Sequence, residues 1–460
     1  MYLALVATAF AALALAACGG GSGSSAPGAL PQSSAPPSHK QTPSPIQHVI
    51  ILIQENRSFD NLFATFPGAD GATKGLMKLP SGGDTYVTLK KANLKEQCDP
   101  GHGYKGFVQS VDGGKMDGFA LNGNKCSGNH TEPYQYVKPS QIKPYWTMAQ
   151  QYVLADHLFQ TQGSGSFTAH QDLIAASTIL NKAQTNSIVD YPTTSPWGCD
   201  APGGTKTSLL EWTGSALLYR YNKGPFPCFT YETMRDVLDA KSVSWKYYSP
   251  PVYQNVGAIW NAFDAIKAVR YGSEWGTNVT DSNTQIFTDI TNNQLPAVSW
   301  VIPDRIDSDH PQSPGDDGPA WVASVVNAVG ESSYWSSSAI VVVWDDWGGF
   351  YDSVAPPFSD HWGGLGLRVP MIVISPYARE QVSGTPGYIS KTPYEFGSIL
   401  KYVEETFNLS SLGTTDKRAT SIGDSFDYSQ PPRAFTPIPS DHDKAYFLHR
   451  PPSGLPVDEE

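Results

Sequence analysis

The chain has 460 residues, with 31 Lys plus Arg against 43 Asp plus Glu and a formal net charge of −12. That balance argues against nucleic acid as a partner and against electrostatic docking on anionic lipid. The length suits one large α/β core with insertions, and 12 Trp, 23 Tyr, 42 Gly and 37 Pro describe a loop-rich chain with aromatic packing.

Met1 to Ala17 carry no charge and are mostly Ala, Leu and Val. The run is shorter than the ~20 residues that cross a bilayer, and it ends at Leu15-Ala16-Ala17-Cys18, so residues 1–18 read as a signal peptide. Leu-Ala-Ala-Cys resembles a bacterial lipobox, although no basic segment precedes it. Cys18 is then the expected site of lipidation, and the protein is expected to be exported, in the cell envelope as a lipoprotein or secreted. Residues 19–45 are Gly, Ser, Ala and Pro with little that can be buried, and read as a disordered tether. Four cysteines remain, Cys98, Cys126, Cys199 and Cys228, an even number in an exported chain. Three pairings are possible; the sequence-local ones, Cys98 with Cys126 and Cys199 with Cys228, each staple a loop-rich segment. No Cys-x-x-Cys spacing supports a metal cluster instead.

The central stretch is His48-Val-Ile-Ile-Leu-Ile-Gln-Glu-Asn-Arg-Ser-Phe-Asp60. The aliphatic run Val49–Ile53 predicts a strand buried on both faces, and it stops at Gln54-Glu55-Asn56-Arg57. Ligands of open α/β sheets collect at such carboxyl ends, so an acid, an amide and a guanidinium there face a crevice. Ser58 is placed to cap a short helix through Phe63. With the adjoining Asn61-Leu-Phe63, this stretch resembles the opening motif of the bacterial phosphoesterase family of phospholipases C and AcpA-type acid phosphatases. The resemblance implies an alkaline-phosphatase-like fold, a mostly parallel central sheet with helices on both faces. It also makes Glu55 and Asn56 metal ligands.

Residues 64–150 show little periodicity and read as a long excursion over the sheet. Within it, Asp99-Pro-Gly-His102 and Gly113-Gly-Lys-Met-Asp-Gly-Phe119 resemble the family's second landmark, which brings His102 into the phosphate site. Gln160-Thr-Gln-Gly-Ser-Gly-Ser-Phe-Thr-Ala-His-Gln171 then leads into an apolar helical pattern. A hydroxyl at a helix start meets the positive end of the helix and is a candidate nucleophile, although capping is the commoner fate of such a serine. Alignment on Phe167 and His170 with the family's Gly-Pro-Ser/Thr-Phe-Pro puts Ser166 at the attacking position, with Ser164 as second choice. Gly165 and Thr168 stand where the family often has Pro. His170 fits a packing role as readily as a chemical one.

Residues 182–228 form another loop-rich insertion. A helix within Thr230–Asp239, a strand over Val243–Tyr248, a helix at about 280–294 and a strand over Ala297–Ile302 come next as α/β units. The last delivers Asp307-Ser-Asp-His-Pro311, and the resemblance assigns His310 to the site. Ala339-Ile-Val-Val-Val-Trp-Asp-Asp-Trp-Gly-Gly-Phe-Tyr-Asp352 repeats the first pattern, a buried strand ending in acids. Adjacent carboxylates repel unless a cation lies beside them, and a hard divalent ion held by oxygens is the usual solution. The stretch resembles the family's metal motif, making Asp345 and Asp346 ligands. The family often continues Asp-His-Val where this chain has Asp352-Ser-Val354, unless His361 substitutes. Gly366–Pro376 predicts a buried strand preceded by Arg368, and 392–406 an amphipathic helix.

The resemblance spans roughly residues 46–410, within an expected catalytic domain over 46–425 and ahead of a Pro-rich tail over 426–460, on the surface or mobile. It implies a metal-dependent phosphoric-ester hydrolase with Ser166 as nucleophile and a phosphoenzyme intermediate. His102 and His310 bind non-bridging oxygens or protonate the leaving alcohol, and Arg57 and Arg368 bind substrate. One divalent ion is expected on Glu55, Asn56, Asp345 and Asp346, with Ca²⁺, Mg²⁺ or Mn²⁺ favoured over Zn²⁺. The expected substrates are phosphodiesters, phospholipids among them, cleaved as by phospholipase C, with acid phosphatase action on monoesters as the alternative. A non-catalytic surface-binding lipoprotein is the alternative of another class. The protein is expected to be a monomer, with membrane contact through its lipid anchor.

Overall fold

The computed structural model describes residues 44–457, apart from 96, 123–125, 127–129, 254–257, 359, 361–362, 383 and 385–386. The signal peptide, Cys18, most of the tether and His361 lie outside the described residues. Eight strands form the central sheet: β1 His48–Gln54, β2 Val153–Ala155, β3 Trp245–Tyr248, β4 Val279–Thr280, β5 Val298–Val301, β6 Ser338–Trp344, β7 Met371–Ile374 and β8 Tyr388–Ser390. Their order is β4-β3-β5-β1-β6-β7-β2-β8. Neighbours run parallel except at β7, which is antiparallel to both β6 and β2, so the expected mostly parallel α/β architecture is borne out. Val49 to Leu52 and Ile340 to Val343 are wholly buried, as strands covered on both faces require.

The register of this sheet decides where chemistry collects. Gln54 of β1 pairs with Trp344 of β6, so the next residues, Glu55 and Asp345, leave the sheet side by side. The Asp345 N–H donates to the Gln54 carbonyl at 2.9 Å. Because β7 is reversed, Arg368, just before it, arrives at the same edge. A second reversal makes β2 run with β6, so the chain leaving Ala155 also starts from that edge.

Ser58 caps helix α1 (Phe59–Phe63) by accepting from the Asn61 N–H. The longer helices are α2 Tyr104–Val111, α3 Lys143–Gln151, α4 Ser166–Ala175, α5 Met234–Asp239, α6 Gln285–Thr291, α7 Gly318–Gly330, α8 Phe396–Phe407 and α9 Lys444–His449. Apart from α2 they form two packed groups: α4 meets α5 and α8, while α7 meets α3, α6 and α9. The helix expected in Thr230–Asp239 starts at Met234, because Thr233 and Asp236 make a reciprocal capping box there. Both expected disulfides, Cys98–Cys126 and Cys199–Cys228, are formed.

The segment after Asp424 is not a loose surface tail. Ile438, Phe447 and Val457 are buried, and the Phe447 ring meets Trp321 edge-on at 5.3 Å. Arg450 pairs with Asp317 at 2.9 Å and also with Asp307. Each large apolar side chain buried there contributes roughly 1.5–3 kcal/mol, which outweighs what Pro-rich composition suggests. Among the described residues no helix is long and apolar enough to cross a membrane.

Candidate active site

Glu55, Asn56, Asp345 and Asp346 all leave the β1/β6 edge and are fully buried. Asn56 takes a left-handed backbone with φ 55°, which turns its N–H onto Asp345 Oδ1 at 2.9 Å. Gly348, at φ +58°, lies so close beneath that a Cβ there would fall 2.1 Å from the Asn56 carbonyl oxygen. This close packing fixes the two strand ends against each other.

The four expected metal ligands divide into two groups. Glu55 and Asp345 join His170 of α4: Glu55 Oε1 lies 3.0 Å and Asp345 Oδ2 3.8 Å from His170 Nε2. One ligand atom from each of these three lies within 4.8 Å of the others, a set able to hold a metal ion. Asp345 Oδ2 has no hydrogen-bond donor and His170 Nδ1 no partner among the described residues. Burial, then the Glu55 charge, holds the Asp345 carboxyl well above the usual range; burial, then Asp345, does the same to Asp346. Burial also pushes His170 down to about 4 despite both acids. Burial thus drives these three groups toward their neutral forms; a dipositive ion among them would restore the two carboxylates and keep the imidazole neutral, the form in which it is a ligand. The donor set, two carboxylates and an imidazole, therefore fits a divalent ion.

Asn56 and Asp346 belong to the second group, around Ser166. Ser166 opens α4, and its hydroxyl donates to Asp346 Oδ2 at 3.1 Å or Asn56 Oδ1 at 3.4 Å. Asp346 Oδ1 is held by the Gly348 N–H at 2.7 Å. His102 Nδ1 lies 2.9 Å from the Pro100 carbonyl, which places the ring proton on Nδ1 and leaves Nε2 to accept from Asn56 Nδ2 at 2.8 Å. Tyr191, from the insertion after α4, brings its hydroxyl to 3.3 Å from His102 Nε2 and 3.4 Å from Ser166 Oγ. Ser164, the second-choice nucleophile, instead accepts from the Asp190 N–H at 2.9 Å.

Arg57 and Arg368, expected on the substrate, are instead held inside the protein. Arg57 donates to the Asp309 carbonyl at 2.8 Å, to Asn61 at 3.1 Å and to the Leu94 carbonyl at 3.0 Å, and is also bonded to Gln97. Arg368 pairs with Asp352 at 2.7 Å and donates to the Asp70 and Asp156 carbonyls at 2.8 and 2.9 Å. Ser353, where the resemblance anticipates a histidine, joins this second cluster through its N–H on Asp60 at 2.8 Å. His310 is buried with Nδ1 2.6 Å from the Pro311 carbonyl and its ring against Trp260. Its loop also supplies the Ser308 carbonyl, which receives the Glu55 N–H at 2.8 Å. Sequence reasoning left His170 undecided and did not reach Tyr191, since nothing in Val189-Asp190-Tyr191-Pro192 marks a residue that returns to a site so distant in the chain.

A carboxylate and imidazole cluster beside a helix-start serine, at the carboxyl edge of a mostly parallel sheet, defines a hydrolase-type site. The chain belongs to the phosphoesterase family, whose model matches residues 46–410, and it is a hydrolase acting on phosphoester bonds. It is 24% identical to phospholipase C B of Mycobacterium tuberculosis, covering 89% of this chain and 83% of that protein. It is 24% identical to a non-hemolytic phospholipase C of Burkholderia pseudomallei, covering 90% and 63%. The same identity holds with non-specific phospholipase C6 of Arabidopsis thaliana, covering 86% and 75%. A solved protein of the alkaline phosphatase superfamily from Vibrio parahaemolyticus superposes with a TM-score of 0.35 at 9% identity, covering 80% of this chain and 69% of that one.

Proposed function

We propose that the protein cleaves phosphodiesters as a phospholipase C does, with Ser166 as nucleophile. The observation that carries this is the Ser166 hydroxyl, 3.1 Å from Asp346 beside the Glu55–His170–Asp345 set. Ser166 Oγ attacks phosphorus and releases its proton to Asp346 while the bond to the leaving alcohol breaks. His102 and His310 are assigned the non-bridging oxygens and, from a doubly protonated ring, the proton required by the departing alkoxide. Water then attacks the phosphoserine and returns a proton to the histidine that protonated the alcohol, while Ser166 Oγ departs and regains its proton from Asp346. A divalent ion on Glu55, His170 and Asp345 would supply polarisation of the phosphoryl oxygens and favour the serine alkoxide. The imidazole among the donors shifts preference away from Ca²⁺ and Mg²⁺ toward an ion that takes nitrogen ligands, such as Zn²⁺.

The names of the relatives favour a diester over a monoester. The test is the rate on p-nitrophenylphosphorylcholine beside p-nitrophenyl phosphate, with and without EDTA, and with acid-quenched protein searched for phosphoserine. A chelator-sensitive preference for the diester, with the phosphoryl group on the Ser166 peptide, is expected. Preference for the monoester makes the protein an acid phosphatase, and Ser166→Ala at full activity removes the nucleophile. Residues 1–18 are assigned as the export signal and Cys18 as the lipid anchor of a monomer. Palmitate incorporation that Cys18→Ser abolishes is the expected outcome; unlabelled wild-type protein contradicts it.

A further inference from the structure

We infer that the Tyr191 hydroxyl positions the Ser166 oxygen for both halves of the reaction, an inference that rests on the reading of Ser166 as nucleophile. The Tyr191 oxygen accepts the Ser166 N–H at 3.0 Å. Its own O–H is then directed at Ser166 Oγ, 3.4 Å away, or His102 Nε2, 3.3 Å away. One phenol thus holds the serine by main chain and, when its proton faces Oγ instead of His102 Nε2, by side chain as well. With Tyr191 donating to one lone pair, the Ser166 proton is left to face Asp346, the direction in which it must leave.

Three features build this contact. Asp190, with φ 60°, takes a left-handed turn that few non-glycine residues adopt. Its carboxylate is fastened by the Tyr104 N–H and the Tyr219 hydroxyl, both at 2.6 Å, and its N–H by Ser164 at 2.9 Å. Gly165 makes the approach possible: a Cβ at that position would lie 2.5 Å from the Tyr191 ring. The tyrosine and the glycine before the serine therefore act as one unit.

In the first half-reaction the Ser166 Oγ–P bond forms, Asp346 takes the serine proton, and the bond to the leaving alcohol breaks as a histidine protonates its oxygen. In the second, water's oxygen bonds to phosphorus as water returns a proton to that histidine, the P–Oγ bond breaks and Ser166 recovers its own proton from Asp346. Tyr191 transfers no proton; it orients Oγ in the first half and hydrogen-bonds the departing oxygen in the second. Removing one preorganised donor of this kind lowers kcat about 10²-fold.

The test uses Tyr191→Phe, which keeps the ring and deletes the hydroxyl, and Gly165→Ala, which keeps the hydroxyl and displaces the ring. Full-chain variants are assayed on p-nitrophenylphosphorylcholine and p-nitrophenyl phosphate beside Ser166→Ala, with thermal midpoints recorded. The expected result is an inactive Ser166→Ala, a kcat loss with little change in KM in each of the other two, and a double variant no worse than the singles. An inactive Ser166→Ala beside a Tyr191→Phe of wild-type kcat overturns the inference and leaves the nucleophile standing. So does a Tyr191→Phe that changes KM alone, or losses that simply multiply in the double variant. An active Ser166→Ala overturns both readings.

Discussion

Two buried acid clusters grow from the same two segments of chain, and they are neutralised differently. Asp60 and Asp352 come several residues after β1 and β6 and close around Arg368, whose Nε donates to Asp352 at 2.7 Å. Main-chain N–H groups of Ala72, Ser353 and Val354 complete this cluster at 2.8–3.0 Å. Asp345 and Asp346, closer to the strand ends, have no Lys or Arg partner among the described residues; the basic groups beside them are the His170 and His102 rings. The chain supplies an internal cation to one pair and leaves the other short of charge, and the short one contains Ser166. Where a buried acid pair lacks its own cation, the deficit itself marks the place for an external one.

Glu55→Gln and Asp345→Asn test the short cluster most severely. Each is expected to lower kcat/KM by at least about 10³-fold, roughly 4 kcal/mol of transition-state stabilisation, with the thermal midpoint of the chelated protein unchanged or raised as a buried charge is removed. An active variant breaks the comparison. Arg368→Met tests the closed cluster, and the loss belongs to folding: leaving two buried carboxylates without their cation costs about 3–5 kcal/mol, read by urea unfolding, while metal stoichiometry is kept. Loss of the ion in that variant would join the two clusters into one.

A smaller effect sharpens the picture through pH. Burial, then the Asp352 charge, raises the Asp60 carboxyl to about 7 against the pull of Arg368. The folded protein therefore keeps a proton that the unfolded chain has shed, and the associated stability, full below about 4, is lost as pH rises through about 7. Asp60→Asn removes that component, so its thermal midpoint should gain on the wild type between pH 4 and 7. A constant difference across that range contradicts the assignment.

Much of the site was legible because buried parallel strands announce themselves as unbroken aliphatic runs, and the polar residues just past Ile53 and Val343 must emerge at an edge. Adjacency of Glu55 to Asp345 needed only that the two strands pair in register. The guanidiniums were misplaced because a polar residue at a strand end reads alike whether it faces a crevice or turns inward; Arg57 turns to the Asp309 carbonyl. His170 and Tyr191 reach their partners across chain separations that carry no local pattern, 115 residues from Glu55 in the first case. Helix α7 escaped because it is apolar nearly all round, Trp321 and Val322 beside Val325 and Val326, which removes the amphipathic period that marks a surface helix. The tail misled because three well-spaced apolar anchors weigh more in packing than in composition.

The most direct test of the central claim is elemental analysis of the purified protein before and after chelation, with activity followed as the ion is returned. The account predicts one divalent ion per chain in the wild type, activity regained in proportion to occupancy, and neither in Asp345→Asn. Full phosphodiesterase activity in protein stripped of every divalent ion would contradict it.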